Sequence, residues 1–316
     1  MSALQQGLSV SAMSAQAPDK TDPLRHLDFT GSCRELSRPR REARRLRCVP
    51  GTWDRYLGSN PPEQLNPFIR WVFAQAGLHA AGYRSAVLQR RLSSCLRALR
   101  ASGVEEARAI LERDPSRLNV AINALLVGVT EFFRDPVVFD DLRRIISSLA
   151  RGGRLRIWSA ACAQGQELYS LALMLAELNL LSGSDLLGTD CRADAIAWAC
   201  RGEYARLEIR SIRPVLREKW FIPVKERPER VRVATDLRRY TRWQVDDLLR
   251  GVQPGPWDLI CWRNHAIYLA PETTRAVWRR LVRELRPGGL LLTGRAEGPD
   301  RALPLTRVAG CIYRKR

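Results

Sequence analysis

The sequence predicts an α/β fold: a mostly parallel, doubly wound sheet with a small antiparallel β insertion, preceded by an all-α helical domain. Three observations predict it. After about residue 128, apolar strand-like runs alternate with helical patterns: LRIWSA, LYSLALMLAELNLL, DLLGTD and ADAIAWACRG, then WDLICW, TTRAVWRRLVREL and GGLLLTG. Strands that are apolar nearly throughout and separated by helices signal parallel strands covered on both faces. Between Gly202 and Leu249, the stretch EKWFIPVKERPERVRVATDLRRYTRWQV breaks the alternation and reads as short strands joined by turns, which places the insertion at about 205–245. Ahead of the sheet, from about residue 65, apolar residues recur with helical spacing and no strand pattern intervenes.

In chain order, residues 1–60 are expected to form a poorly ordered basic N-terminal extension. They combine Ser, Gln and Pro with the run RPRREARRLR at Arg38–Arg47 and show little periodicity. The helical domain is expected over 61–128. PFIRWVFAQAG stops at Gly77, a residue suited to ending a helix. YRSAVLQRRLSSCLRALRASG puts Val87, Leu88, Leu92, Cys95, Leu96 and Leu99 on one face and Arg84, Arg90, Arg91, Arg97 and Arg100 on the other. VEEARAILERDP and LNVAINALLVGV continue the bundle. Residues 129–316 make up the sheet domain.

The chain of 316 residues is long enough for two domains with a sizeable core, and 45% hydrophobic residues suit a globular protein. No apolar run reaches the roughly 18 residues of a membrane span, and the N-terminus lacks the basic start and apolar block of a secretion signal. A cytoplasmic protein without membrane insertion is expected. The eight cysteines form no C-x-x-C pair and the three histidines lie far apart, so no metal site is predicted and reduced thiols are the simpler reading. The net charge of +19 is carried mostly by arginine. It suits an acidic protein partner or nucleic acid, and it is equally consistent with arginine-rich codon usage. The sequence shows no RNA-binding aromatic motif, which disfavours nucleic acid.

The first strand–helix turn carries the main chemical signal. In doubly wound sheets, ligands sit beyond the carboxyl ends of the strands. Ala160-Ala161-Cys162-Ala163-Gln164-Gly165 supplies small residues there, letting backbone approach a ligand closely. It is neither G-x-G-x-x-G nor a phosphate loop, so no phosphate cradle is indicated. The next strand ends in GTD, and Asp190 stands where an acidic residue accepts both ribose hydroxyls in dinucleotide folds, although it could instead cap the following helix. A small-residue turn with an acidic strand end and no phosphate cradle points to a phosphate-free nucleoside ligand such as S-adenosyl-L-methionine.

Five blocks extend this reading. VTEFFRDP (Val129–Pro136), IWSAACAQGQELYSLAL, GTDCRADAIAWACRGEY, WDLICWRNHAIYL and ELRPGGLLLTGRAE occur in this order. Together they resemble the CheR family of chemotaxis protein methyltransferases, and GYRSAVLQRRL resembles that family's N-terminal domain. The resemblance covers about 65–316. It implies a Rossmann-like S-adenosylmethionine-dependent methyltransferase domain that makes methyl esters on glutamate side chains of a chemoreceptor cytoplasmic domain or related signalling protein, leaving S-adenosyl-L-homocysteine. It further implies that the β insertion touches the receptor and that the basic helical domain faces the acidic receptor bundle. A glutamate with a pKa of about 4.3 is already ionised at neutral pH, so such chemistry needs alignment rather than a general base.

The resemblance implies roles for individual residues. Thr130 and Arg134 belong to the cofactor site, where Arg134 would hold a carboxylate of cofactor or substrate; an ion pair with Asp135 or Asp140 is the alternative. Ala161 and Gly165 form the turn. Arg263 and Asn264 stand beside the cofactor, and Asp247 and Leu248 face its adenine end. Tyr268 lies near the reacting methyl, with a half-buried structural ring as the alternative, and the catalytic assignments are Arg134 and Tyr268. Phe132 and Phe133 are expected to pack between the domains. Several positions depart from the family pattern. Gln166 replaces the glutamate that pairs with the cofactor's ammonium, and the adjacent Glu167 is expected to point away, since neighbouring helix residues diverge by about 100°. Gly128 stands where many relatives have asparagine, His265 and Ala266 replace apolar residues, and Arg295 and Ala296 replace His-Ser. These departures keep open a diverged, cofactor-binding regulator. A nucleic-acid methyltransferase is disfavoured, because CWRNHAIY stands where amino-methylating enzymes carry Asn/Asp-Pro-Pro-aromatic.

Overall fold

The computed structural model describes residues 65–150 and 154–316; the expected basic extension lies outside them. Four helices come first: α1 (Pro67–Gln75), α2 (Ser85–Leu99), α3 (Val104–Arg113) and α4 (Leu118–Leu125). Two of the boundaries have a clear local cause. The Asn66 side chain accepts a hydrogen bond from the Phe68 N–H with Pro67 in the first turn. The last turn of α2 closes onto Arg100, which takes a left-handed conformation. Leu88, Cys95 and Leu99 are buried as the periodicity predicts. The basic face of α2 is less free than it reads. Arg84 Nε donates to the Leu269 carbonyl and Arg91 Nε to that of Ala124, whereas Arg90, Arg97 and Arg100 remain exposed.

The main sheet contains β1 (Arg156–Ala160), β2 (Asp185–Asp190), β6 (Thr241–Val245), β7 (Trp257–Trp262), β8 (Leu285–Thr293), β9 (Leu305–Ala309) and β10 (Ile312–Lys315), in the order β6-β2-β1-β7-β8-β10-β9. The strands from β6 to β8 run parallel, and β10 is antiparallel to both β8 and β9. The remaining helices are α5 (Pro136–Ile146), α6 (Gln166–Glu177), α7 (Ala193–Arg201), α8 (Pro214–Trp220), α9 (Thr235–Arg238) and α10 (Pro271–Glu284). Two separate cores explain the apolar strands. Trp158, Ile260, Trp262 and Leu291 pack with the N-terminal helices and α10 on one face, and Ile157, Leu259, Cys261 and Leu290 pack with α5 and α6 on the other.

A second sheet, β3-β5-β4, is built from β3 (Glu203–Ala205), β4 (Phe221–Val224) and β5 (Arg227–Val233), all antiparallel. The predicted insertion is therefore corrected at its end. TRWQV is β6, an edge strand of the main sheet paired in parallel with β2. Phe132 and Phe133 also need correction. Phe132 packs edge-on against Tyr204 and Phe221, under the small sheet, and Phe133 packs against Phe139 of α5, so neither joins the helical bundle to the sheet.

Strand order reverses between β1 and β7: the chain runs outward through β2 and β6, then returns to β7 on the other side of β1. This switch point opens a crevice at the strands' carboxyl ends. The 3₁₀ turn Ala80–Gly82 and the two residues after it tie the bundle to its rim. Tyr83 bridges Leu269, the Arg84 N–H donates to the Tyr268 carbonyl, and the Ala270 N–H donates to that of Gly82.

Candidate functional site

The turn after β1 takes its shape from backbone groups tied to β2. The Cys162 N–H donates to the Thr189 carbonyl at 2.9 Å, and the Ala163 N–H donates to Asp190 Oδ2 at 2.9 Å. These bonds hold Ala161 and Ala163 at positive φ, 57° and 51°, a costly conformation for alanine that needs such external support. Gly165 (φ 91°) serves a different purpose from the one its sequence position suggests. A Cβ there would lie 2.7 Å from the Trp243 ring and 2.8 Å from Ala199 Cβ. The glycine admits an indole beneath the turn, not a ligand above it.

Beyond this turn lies a cleft of about 970 Å³, its open mouth included. Its wall contains Thr130, Arg134, Ala161, Asp190, Asp247, Leu248, Arg263, Asn264 and Tyr268, joined by Tyr83, Val87 and Leu88 of the helical bundle. Gly165 and Gln166 are not in the wall. Gln166 is buried and its Nε2 donates to Glu208 Oε1 at 3.2 Å, beneath the small sheet. The expectation for this pair is thus reversed, because Glu167 lines the cleft and Gln166 does not. The left-handed Gly165 sets where α6 starts, and that start rotates the second acidic position outward. The amide avoids the like charge that a carboxylate would set against Glu208, although its Oε1 is buried without a hydrogen-bond partner.

Glu167 is held on both oxygens. Oε1 accepts from Ser159 Oγ at 2.7 Å and Oε2 from Arg263 Nη1 at 3.3 Å. Arg263 also donates through Nη2 to Asp135 Oδ2 at 2.9 Å and to the Arg134 carbonyl at 2.8 Å. With its side chain 2% exposed, it ties together three parts of the wall. Arg134 donates to the Val129 carbonyl at 3.1 Å, and its alternative partner Asp135 is engaged by Arg263. Tyr268 is half-buried at the cleft edge.

The test of fit for an adenosyl ligand falls on Asp247. Its Oδ1 accepts from the Leu249 N–H at 2.9 Å. Its Oδ2 is buried with no hydrogen-bond donor, and Arg250 comes no nearer than 3.9 Å. Burial raises the pKa of this carboxyl above the ordinary aspartate value. A buried acceptor without a hydrogen-bond donor is costly. Asp247 lines the cleft, and a carboxylate is the type of group that accepts from an exocyclic amine such as adenine's.

The loop after β7 is built on two further groups. Glu297 accepts from the Asn264 N–H (2.7 Å), the Gly294 N–H (3.1 Å) and the Ile267 N–H (3.3 Å), which holds Asn264 at φ 55°. His265 Nδ1 accepts from Trp262 Nε1 at 3.0 Å, and its ring lies edge-on to Tyr83 and Trp262. Burial holds His265 down to about 4 from an ordinary 6.5, so the imidazole is neutral at working pH. The unfolded chain therefore takes up this proton between pH 6.5 and 4 while the folded chain does not, and stability falls as pH drops through that window. Between pH 7.5 and 5.0 the loss from this group is about 2 kcal/mol. A His265→Gln variant, whose amide oxygen can still accept from Trp262, should lose about that much less on the same shift. Urea midpoints at the two pH values check it, and an equal acid loss in both proteins would remove His265 from the account.

The sequence reading missed Glu167, Glu297, Arg192 and two cleft thiols, Cys162 and Cys191. Among the described residues, no His/Cys/Asp/Glu cluster suits a metal and no helix is long and apolar enough to cross a membrane.

A family model described as CheR methyltransferase, SAM binding domain, matches residues 128–303, and one described as CheR methyltransferase, all-alpha domain, matches residues 63–126. The chemotaxis protein methyltransferase of Klebsiella aerogenes is 31% identical over 233 residues, covering 72% of this chain and 80% of the relative. Chemotaxis protein methyltransferase 2 of Pseudomonas aeruginosa is 30% identical over 250 residues, covering 76% of this chain and 88% of the relative. Among solved structures, the N-methyltransferase NodS from Bradyrhizobium japonicum in complex with S-adenosyl-L-homocysteine aligns with 66% of this chain and 71% of its own length, at 18% identity and a TM-score of 0.31.

Proposed function

Because the chain belongs to the CheR methyltransferase family, we propose that it forms methyl esters on glutamate side chains of a chemoreceptor cytoplasmic domain or a related signalling protein. It is an S-adenosyl-L-methionine-dependent methyltransferase. The observation that carries the finer reading is a cleft at the sheet's switch point whose wall brings together the carboxylates of Asp190 and Asp247. Most of that wall comes from the segment matched by the family's cofactor-binding domain, with Tyr83, Val87 and Leu88 added from the helical bundle.

The residues divide the work as follows. Asp247 and Leu248 take the adenine end. Asp190 accepts the ribose hydroxyls, and Ala161 keeps the turn's backbone open beside them. Glu167, in place of Gln166, meets the ammonium, so the departure at 166 does not weaken the pocket. Arg134 and Thr130 hold a carboxylate at the mouth, and Asn264 and Tyr268 border the acceptor's approach. The bound cofactor supplies an electrophilic methyl on a sulfonium. The acceptor carboxylate is already ionised at neutral pH, so this chain needs to furnish no general base. Its residues exclude water and align the acceptor. The exposed arginines of α2 suit an acidic partner.

Incubation of the full chain with methyl-labelled S-adenosyl-L-methionine and candidate receptor cytoplasmic domains tests this reading. Base-labile label on the receptor, absent with Arg134→Ala, is the expected result. Label that resists base rejects glutamate as acceptor. Tight binding of S-adenosyl-L-homocysteine without any transfer would favour a cofactor-binding regulator.

A further inference from the structure

Arg192 follows Asp190 by two residues and lines the same cleft, and neither the charge pattern nor the family blocks gave it a role. Its backbone N–H and its Nε both donate to Asp190 Oδ1 at 3.0 Å, and its Nη2 reaches Oδ2 at 3.4 Å. Oδ2 also accepts from the Ala163 N–H at 2.9 Å. A carboxylate offers about four acceptor sites, and here each is met by the chain itself. The Arg192 side chain is only 10% exposed, so the guanidinium lies inside the cleft and not over its rim.

Space for this rotamer depends on position 128. A Cβ built on Gly128 would collide with the guanidinium, lying 2.5 Å from its Cζ. Gly128 does not have positive φ, so no backbone requirement calls for glycine there. What the missing side chain provides is room for Arg192.

A vicinal diol binds a carboxylate by donating one O–H to each oxygen. It cannot do so while Arg192 holds the outer positions of both. On the reading of this cleft as an adenosyl site, we propose that Arg192 is an internal occupant of the ribose subsite, seated against Gly128, which competes with the cofactor's diol for Asp190 and must swing out before the cofactor binds. Arg192 and Gly128 thus act as one device that sets cofactor affinity. When the competent state is a fraction of the population, apparent affinity falls by that fraction. An arginine seated nine-tenths of the time weakens binding about tenfold.

Calorimetric titration of the full chain with S-adenosyl-L-homocysteine tests the device in four proteins: wild type, Arg192→Ala, Gly128→Ala and the double variant. Each single variant is expected to tighten binding about tenfold. The double is expected to match Arg192→Ala, because both changes act on one rotamer and their effects do not add. Gly128→Ala keeps the arginine and only evicts it, so its gain cannot come from losing a guanidinium contact. Binding by wild type that is unchanged or weaker in either single variant, or additive gains in the double, overturns the device and leaves the adenosyl reading intact. Binding by Arg192→Ala where wild type shows none supports both. Absence of binding in all four, each folded by circular dichroism, overturns the adenosyl reading itself.

Discussion

Replacing Asp190 with alanine is expected to weaken S-adenosyl-L-homocysteine binding about a hundredfold. Two effects of opposite sign meet at this position. The carboxylate would receive two hydroxyl donors, and hydrogen bonds to a charged acceptor contribute about 1.5–3 kcal/mol each. Losing both costs roughly 3–6 kcal/mol. Alanine also frees Arg192 from its own partner, which returns about 1.4 kcal/mol, the equivalent of tenfold. The loss is larger than the return, so binding weakens. A further cost comes from the Ala163 N–H, which donates to Asp190 Oδ2 and helps hold two alanines at positive φ. Asp190→Asn keeps one acceptor oxygen and should fall between the two. Calorimetry decides the point: a change below fivefold in Asp190→Ala would leave this side chain as a brace for the turn and no more.

How legible these features were in the sequence depended on how local their causes are. The central strands could be read because both faces are buried, so DLLGTD and WDLICW carry little polarity. TRWQV was misread because β6 lies at the sheet's edge, where Arg242, Gln244 and Val245 face solvent and the pattern imitates an antiparallel ribbon. Its one inward ring, Trp243, explains two glycines at once, since Gly165 and Gly188 both lack the Cβ that would strike it. No local signal could join those positions. The placements of Gln166 and Glu167 were hidden in the same way. Which of two adjacent polar residues faces a cleft depends on the phase of α6 and on Glu208, 42 residues away. Arg192 was invisible because its meaning rests on an empty space at Gly128, on another element. Asp190, Asp247 and Tyr268 line the cleft as their sequence positions suggest, because they stand at strand or loop ends in recognisable blocks, where sequence position and spatial position nearly coincide.

The second large effect is expected at Arg263, and it concerns stability before affinity. Its guanidinium joins Glu167 of α6, Asp135 at the start of α5 and the Arg134 carbonyl, and lies over the Phe139 ring. Those contacts account for Nη1 and Nη2, and its Nε is buried without a hydrogen-bond partner. Arg263 lines the cleft, and through the groups it holds it also shapes the wall, so a positioning role is expected of it. Arg263→Ala would leave Asp135 with only the exposed Arg295 at 4.0 Å and Glu167 with only its Ser159 hydrogen bond. Breaking a buried ion pair from one side costs about 3–5 kcal/mol, and the contacts that remain put the expected loss at the lower end, about 3 kcal/mol. Arg263→Lys restores the charge but not the planar fork that reaches both acids at once, so about half of the loss should persist. Urea denaturation at pH 7.5 measures both. The positioning role adds a second expectation. Saturating S-adenosyl-L-homocysteine should raise the urea midpoint of Arg263→Lys by less than that of wild type, since Glu167 and the Arg134 backbone are no longer held in register. A loss under 1 kcal/mol in Arg263→Ala would mean that the two acids find water or another cation, and that the wall does not depend on this arginine.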